Sequence, residues 1–296
     1  MTLAVAAAVD IGGTKIAAAL VTRSGEIVDR ISTPTPARSG GRVVLQTAGD
    51  LVAGLQGPDT RLVALGIGSA GVVDPASKRV LAATDQLADW VGTDLGALGE
   101  RFGVPAVAMN DVHAHAVGEA LDTTSMLFLA VGTGIGGAYV VDGSVLFGAH
   151  AVAGHAGHVP SVYADREPCT CGGRGHLEAV ASGPALVAQY RRRTQVDVTD
   201  LREVAQRGDR VAAEVIEFGG TAVGSALGGL VNMLDPETVV VGGGVAGLGA
   251  VWWDALRAEF RREVLPRLAD VPVSAARLGN DAALIGAAKM AWERTA

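Results

Sequence analysis

Twice along the chain an apolar strand runs into a glycine turn and straight out into a second apolar strand. Residues 3–9 lead into Asp10-Ile11-Gly12-Gly13-Thr14, and 15–21 follow. Residues 126–131 lead into Gly132-Thr133-Gly134-Ile135-Gly136-Gly137, and 138–141 follow. From Asp10 to Gly132 is 122 positions, too coarse a spacing for a solenoid repeat and suited to two α/β domains. Glycine lets backbone N–H groups approach a polyanion without a Cβ in the way. Either turn alone reads equally as an ordinary hairpin corner. Two of them, one opening each half, suit a clamp for a nucleotide triphosphate. The P-loop pattern, GxxxxGK followed by Ser or Thr, is absent from the chain.

Composition narrows the classes further. Glycine supplies 41 of 296 residues, about twice its usual share of roughly 7%, with no three-residue period. A 49% hydrophobic content excludes a disordered chain. The net charge of −7 lacks the basic footprint of a nucleic-acid binder, so no nucleic-acid partner is expected. The apolar opening residues have no basic n-region and end at Asp10, too early for a signal peptide. The uncharged stretches 123–141 and 218–234 are dense in glycine and carry Thr, Ser or Asn. They read as buried elements, not membrane spans, and a cytoplasmic protein is expected.

Periodicity and turn residues place the remaining elements. Helix is expected over 43–55, then strand over 61–68 and the loop Gly68-Ser69-Ala70-Gly71. A strand over 104–109 precedes Asp111, read as the N-cap of a helix over 114–121. Helices follow near 183–193, 200–207 and 211–234, a strand over 239–241, and helices over 251–268 and 281–292.

Three further motifs bear on chemistry. Gly242-Gly243-Gly244-Val245-Ala246-Gly247 formally matches a dinucleotide fingerprint. No repeated βαβ units follow it, which favours a glycine turn lining an adenosine pocket. Asn110-Asp111 follows a short strand, where Asp111 is either a general base toward a hydroxyl or a helix cap. His158, Cys169, Cys171 and His176 offer two imidazoles and two thiolates, a set that satisfies tetrahedral Zn²⁺ of the structural kind. His155 lies one helical turn before His158 and is a further candidate.

Taken together, residues 10–15, 66–71, 110–111, 132–137, 153–158, 169–178, 181–183 and 239–244 resemble the ROK family of sugar kinases and repressors, across essentially the whole chain. The resemblance implies an α/β, two-domain, actin-like (ribonuclease H-like) fold with the nucleotide in an interdomain cleft. A small domain would comprise 1–121 plus the returning helix 281–296, and a large one 122–280 with a zinc loop. The family's repressors carry a DNA-binding segment ahead of the first hairpin. Only nine residues precede Asp10 here, so a kinase is expected.

The resemblance also implies roles. Asp111 would be the catalytic base. Gly68, Ser69, Gly71, Asn110, Asp111, His155, His158 and Glu178 would bind the sugar. Asp10, Gly12, Gly13, Thr14 and Lys15 would hold phosphates and Mg²⁺, as would Gly132, Thr133, Gly134 and Gly136, with Gly242, Gly243 and Gly244 toward the adenosine of ATP. His158, Cys169, Cys171 and His176 would hold a structural Zn²⁺. A homodimer is the family's common assembly, and the expected partners are a small sugar and ATP.

Two positions depart from the family pattern. His155 in Gly154-His155-Ala156-Gly157-His158 replaces the usual sugar-contacting glutamate, a variant that resembles the family's bacterial N-acetylmannosamine kinases. His176 stands where a third zinc cysteine is usual. The implied reaction is ATP-dependent phosphorylation of N-acetylmannosamine at its 6-hydroxyl, with glucokinase as the alternative and a sugar-sensing regulator as the more distant one.

Overall fold

Strand Leu3–Ile11 is the axis of the first of two compact units in this computed structural model, which describes residues 2–120 and 123–295. The first unit takes in Met1–Asp122, Gly143–Ala153 and Arg277–Ala296. The second takes in Thr123–Asp142 and Gly154–Ala276. Thus 143–153 groups with the first unit, where the sequence reading put it with the second.

In the first unit the sheet runs in the order Ile27–Pro34, Lys15–Val21, Leu3–Ile11, Thr60–Ser69, Ala106–Asn110. The first three strands are an antiparallel meander, and the last three are parallel. Both faces are covered, so Leu3–Ile11 is a continuous apolar run instead of an alternation. Val5, Ala7, Val9 and Ile11 pack with Val44, Ala48 and Val52 of helix Gly41–Leu55. Ala6 and Ala8 pack with Ala283, Leu284, Ala287 and Ala288 of helix Asp281–Trp292. That second face is nearly all alanine and glycine because the helix lies very close. A Cβ at Gly66 would overlap the Ala287 carbonyl.

In the second unit, strands Ile135–Val141, Ser125–Val131, Thr238–Gly242 and Val273–Ala275 lie side by side in that order. The first pair is antiparallel and the others parallel. Helix Arg210–Leu234 packs on helix Ala250–Glu263 through Gly220, Gly224 and Gly228, spaced four apart along one face. Cβ atoms at Gly220 and Gly224 would overlap the Trp252 and Leu256 carbonyls. This accounts for the glycine-rich stretch 218–234 as close helix packing. Among the described residues no helix is long and apolar enough to cross a membrane.

Several elements differ from expectation. The helix expected over 251–268 stops at Glu263, and a 3-10 turn takes Pro266–Leu268. Pro266 disfavours α geometry at Leu265, whose ψ of 143° is extended. The cap of helix Asp111–Glu119 is Asn110, whose side chain accepts from Val112 N; Asp111 is the first helical residue. Leu121, the expected end of that helix, lies outside the described residues. The second glycine turn is shorter than expected, because the strand resumes at Ile135. Short strands at Val72–Asp74 and Arg79–Ala82 carry no clear sequence signal and were not expected.

Candidate active site

The expected site residues fall into two groups, one in each unit. In the first unit they gather where three parallel strands end together. Asp10 is in register with Gly68, and Ser69 with Asn110. The carboxyl ends of parallel strands are where open α/β sheets bind ligands. Gly68 separates the two acids: a Cβ there would lie 3.8 Å from Asp10 Oδ1 and 3.7 Å from Asp111 Cα. Burial, and then the charge of Asp111, push the Asp10 carboxyl up to about 6, against the opposing pull of His115 and Lys15. Burial also raises Asp111, while His115, the Val112 amide and Asn110 pull it down. A partly buried carboxylate kept basic in this way suits proton abstraction.

Other groups in this unit hold the loop in place. Asn110 donates through Nδ2 to Gly71 O at 2.9 Å and accepts at Oδ1 from Val112 N at 2.9 Å. Ser69 is fully buried, with Oγ donating to Ala70 O at 3.0 Å. Trp90 Nε1 donates to the same carbonyl at 3.1 Å. Ser69 therefore anchors the loop, while Asn110 both caps the helix and ties down Gly71. In the first hairpin Gly12 N donates to Lys15 O at 3.0 Å, and Thr14 and Lys15 are exposed.

In the second unit the Gly154–His158 segment lies against the second hairpin. Gly154 has φ +90°, and a Cβ on it would overlap the Gly137 carbonyl. A Cβ at Gly157 would overlap the Ile135 carbonyl. Glycine at 154 and 157 thus lets the loop lie flat on the strand, with His155 exposed and His158 half-buried. Glu178 opens helix Glu178–Ala181. Its Oε2 accepts from Ile135 N at 2.9 Å and its Oε1 from Thr170 Oγ1 at 2.6 Å.

His158, Cys169, Cys171 and His176 converge, with all four potential ligand atoms within 4.8 Å of one another. Cys169 Sγ lies 3.6 Å from His158 Nδ1, and Cys171 Sγ lies 3.3 Å from His176 Nδ1. Sulfur and nitrogen bound to one tetrahedral Zn²⁺ stand about 3.6 Å apart, given Zn–S near 2.3 Å and Zn–N near 2.0–2.1 Å. The donor set and its spacing therefore fit the ion. His155 stacks on His158 with ring centroids 6.0 Å apart and lies outside the four.

A cavity of about 560 Å³ lies wholly within the second unit. Gly132 and Thr133 line it together with Gly244, as expected. Gly242 and Gly243 do not line it. Gly242 instead packs on Phe128, and the carbonyl of Val131 crowds Gly243. Its other walls were not anticipated: Gly183 and Pro184 at the start of helix Gly183–Thr194, Arg191, and the run from Thr199 to Arg202. The turn Ser182-Gly183-Pro184 carries a readable helix-start signal, but nothing in spacing links it to Thr199. Gly183 N donates to Gly132 O at 2.8 Å, which fastens that helix start to the hairpin.

Residues 6–294 match the ROK family. The chain belongs to the ROK family. It is similar to an N-acetylmannosamine kinase of Yersinia pseudotuberculosis, 35% identical over 97% of this chain and 98% of that protein. It is also similar to a glucokinase of Halalkalibacterium halodurans, 30% identical over 94% and 92%. Among solved structures, a ROK hexokinase from Thermus thermophilus superposes with a TM-score of 0.88 at 32% identity, covering 98% of each chain. The fold is the actin-like sugar-kinase fold, and the chain is an ATP-dependent sugar kinase.

Proposed function

We propose that the sugar is N-acetylmannosamine and that its 6-hydroxyl receives the γ-phosphoryl group of ATP. The observation that carries this is His155, exposed and stacked beside His158 on a glycine loop, at the position where the family usually has a glutamate. A 2-acetamido group presents a carbonyl acceptor and extra bulk. A neutral imidazole can donate to that carbonyl, whereas a glutamate can only accept. The 35% identity to the Yersinia kinase supports the same reading.

Asp111 takes the hydroxyl proton as the new bond forms, held in place by the Val112 amide, which donates to its Oδ1 at 2.9 Å. The sugar is oriented by Gly68, Gly71, Asn110, His155, His158 and Glu178, while Ser69 serves from behind the loop. His158 turns Nδ1 toward Cys169, which leaves Nε2 for a sugar hydroxyl. Zinc held by His158, Cys169, Cys171 and His176 supplies no reaction chemistry; it fixes the loop that carries His158. The cavity beside Gly132, Thr133 and Gly244 receives the nucleoside, and Gly12, Gly13, Thr14, Lys15, Gly134 and Gly136 face the phosphates. Asp10, raised by burial and by Asp111, is the carboxylate that a Mg²⁺ ion relieves. We further propose a cytoplasmic homodimer, the family's common state.

The H. halodurans relative favours glucose as the alternative sugar. The variant His155→Glu separates the two. We expect its kcat/KM ratio for N-acetylmannosamine over glucose to fall by about a hundredfold, two lost or mismatched hydrogen bonds' worth. A parallel fall for both sugars refutes the specificity role.

A further inference from the structure

Thr170 lies between the two cysteines of the metal cluster and, in the reading above, has no role. Its hydroxyl donates to Glu178 Oε1 at 2.6 Å. The other oxygen of the same carboxylate takes the amide of Ile135, the first residue of the strand that leaves the second glycine turn. Glu178 also sits tightly under that turn: a Cβ on Gly134 would stand 2.8 Å from Oε2. One carboxylate therefore spans the metal loop and the turn. With both oxygens held, its rotamer is set from two sides, and Ile135 N is kept in place by a carboxylate oxygen that is itself fixed.

The surrounding loop has the means to hold Thr170 still. Cys169 N donates to Gly173 O at 2.9 Å, and Gly172 N to Cys169 O at 3.0 Å. Pro168 bridges Arg174, and Pro160 bridges His176. The loop is thus a small hairpin closed by the Pro168–Arg174 bridge, with Thr170 inside it and Cys169 and Cys171 gathered with His158 and His176.

We propose that Thr170 is a positioning residue for the nucleotide. The chain Thr170–Glu178–Ile135 passes the order of the metal loop to the turn that receives the phosphates. The cluster then serves the phosphoryl donor as well as the sugar loop. This rests on the reading of the second turn as a phosphate site and of the cluster as a metal site.

The test compares Thr170→Val, which keeps the shape and loses the hydroxyl, with Thr170→Ser, which keeps the hydroxyl. Zinc content, KM for ATP and for sugar, and amide exchange in peptides spanning residues 130–140 are read on the full-length chain. Thr170→Val is expected to retain zinc, to raise KM for ATP about fivefold with a smaller change in KM for sugar, and to speed exchange in 130–140. Thr170→Ser is expected to retain zinc as well and to restore both KM for ATP and the slow exchange in 130–140. Chelating zinc from the parent should speed the same exchange, and should add little in Thr170→Val. Unchanged KM for ATP and unchanged exchange in Thr170→Val overturn the proposal, and so does loss of zinc from that variant. A parent chain that purifies without metal defeats the metal reading, while the Val–Ser comparison still decides the role of the hydroxyl.

Discussion

The two glycine turns look alike in sequence and are supported in opposite ways. The first carries its own acid: Asp10 sits on the strand just before the turn, and Asp111, opening the helix after the strand two places away, comes close to it across Gly68. The second has no acid on its strand. Its carboxylate, Glu178, comes from a helix forty-odd positions downstream and accepts hydrogen bonds from Ile135 N and Thr170 Oγ1. The first turn thus stands beside two carboxylates whose proton affinity is raised by burial, which in the proposed function serve proton transfer and a cation. The second is tied to a His/Cys cluster and borders a 560 Å³ cavity, which in the proposed function holds the nucleoside. What packs around a repeated motif gives its two copies different surroundings.

The sharpest way to break this contrast is to remove the base. Asp111→Ala should lower kcat about a thousandfold, within the usual range for a lost general base, while zinc content and the melting midpoint stay near those of the parent. Because burial raises the Asp111 carboxyl, the parent's kcat should fall on the acid side at a higher pH than an ordinary carboxylate gives. Appreciable residual turnover in Asp111→Ala would remove the catalytic role from the first unit.

A smaller effect is expected at Asp10, and on stability its sign is opposite. Its folded value of about 6 lies above the unfolded 3.8, so the charged form is disfavoured by folding. Without divalent metal, the parent gains stability as pH falls through about 6. Asp10→Asn should therefore raise the melting midpoint by a few degrees at pH 8 and by less at pH 5, while lowering activity. A lowered midpoint at pH 8 contradicts the electrostatic account of this pair.

Much of this was legible before any coordinates. Strand Lys15–Val21 and helix Asp281–Trp292 fall where apolar runs and their flanking signals put them. The convergence of His158, Cys169, Cys171 and His176 was readable because two thiols one residue apart with histidines nearby suggest a common ligand set. Other features depend on contacts across the chain, which local pattern does not encode. Nothing in spacing says that Ser69 turns inward to Ala70, or that Gly242 and Gly243 pack on the sheet and only Gly244 faces the cavity. The cap is Asn110 and not the expected Asp111, because the Asn110 amide oxygen accepts from Val112 N and lets the helix begin at Asp111, a difference that propensity does not resolve.

The central claim is that this ROK kinase acts on a 2-acetamido sugar. The most direct measurement is an ATP-coupled phosphorylation assay on one preparation, comparing N-acetylmannosamine, N-acetylglucosamine, glucose and mannose. The account predicts the highest kcat/KM for N-acetylmannosamine, by at least about tenfold, the effect of one well-placed hydrogen bond to the acetamido carbonyl. A preference for glucose would contradict it.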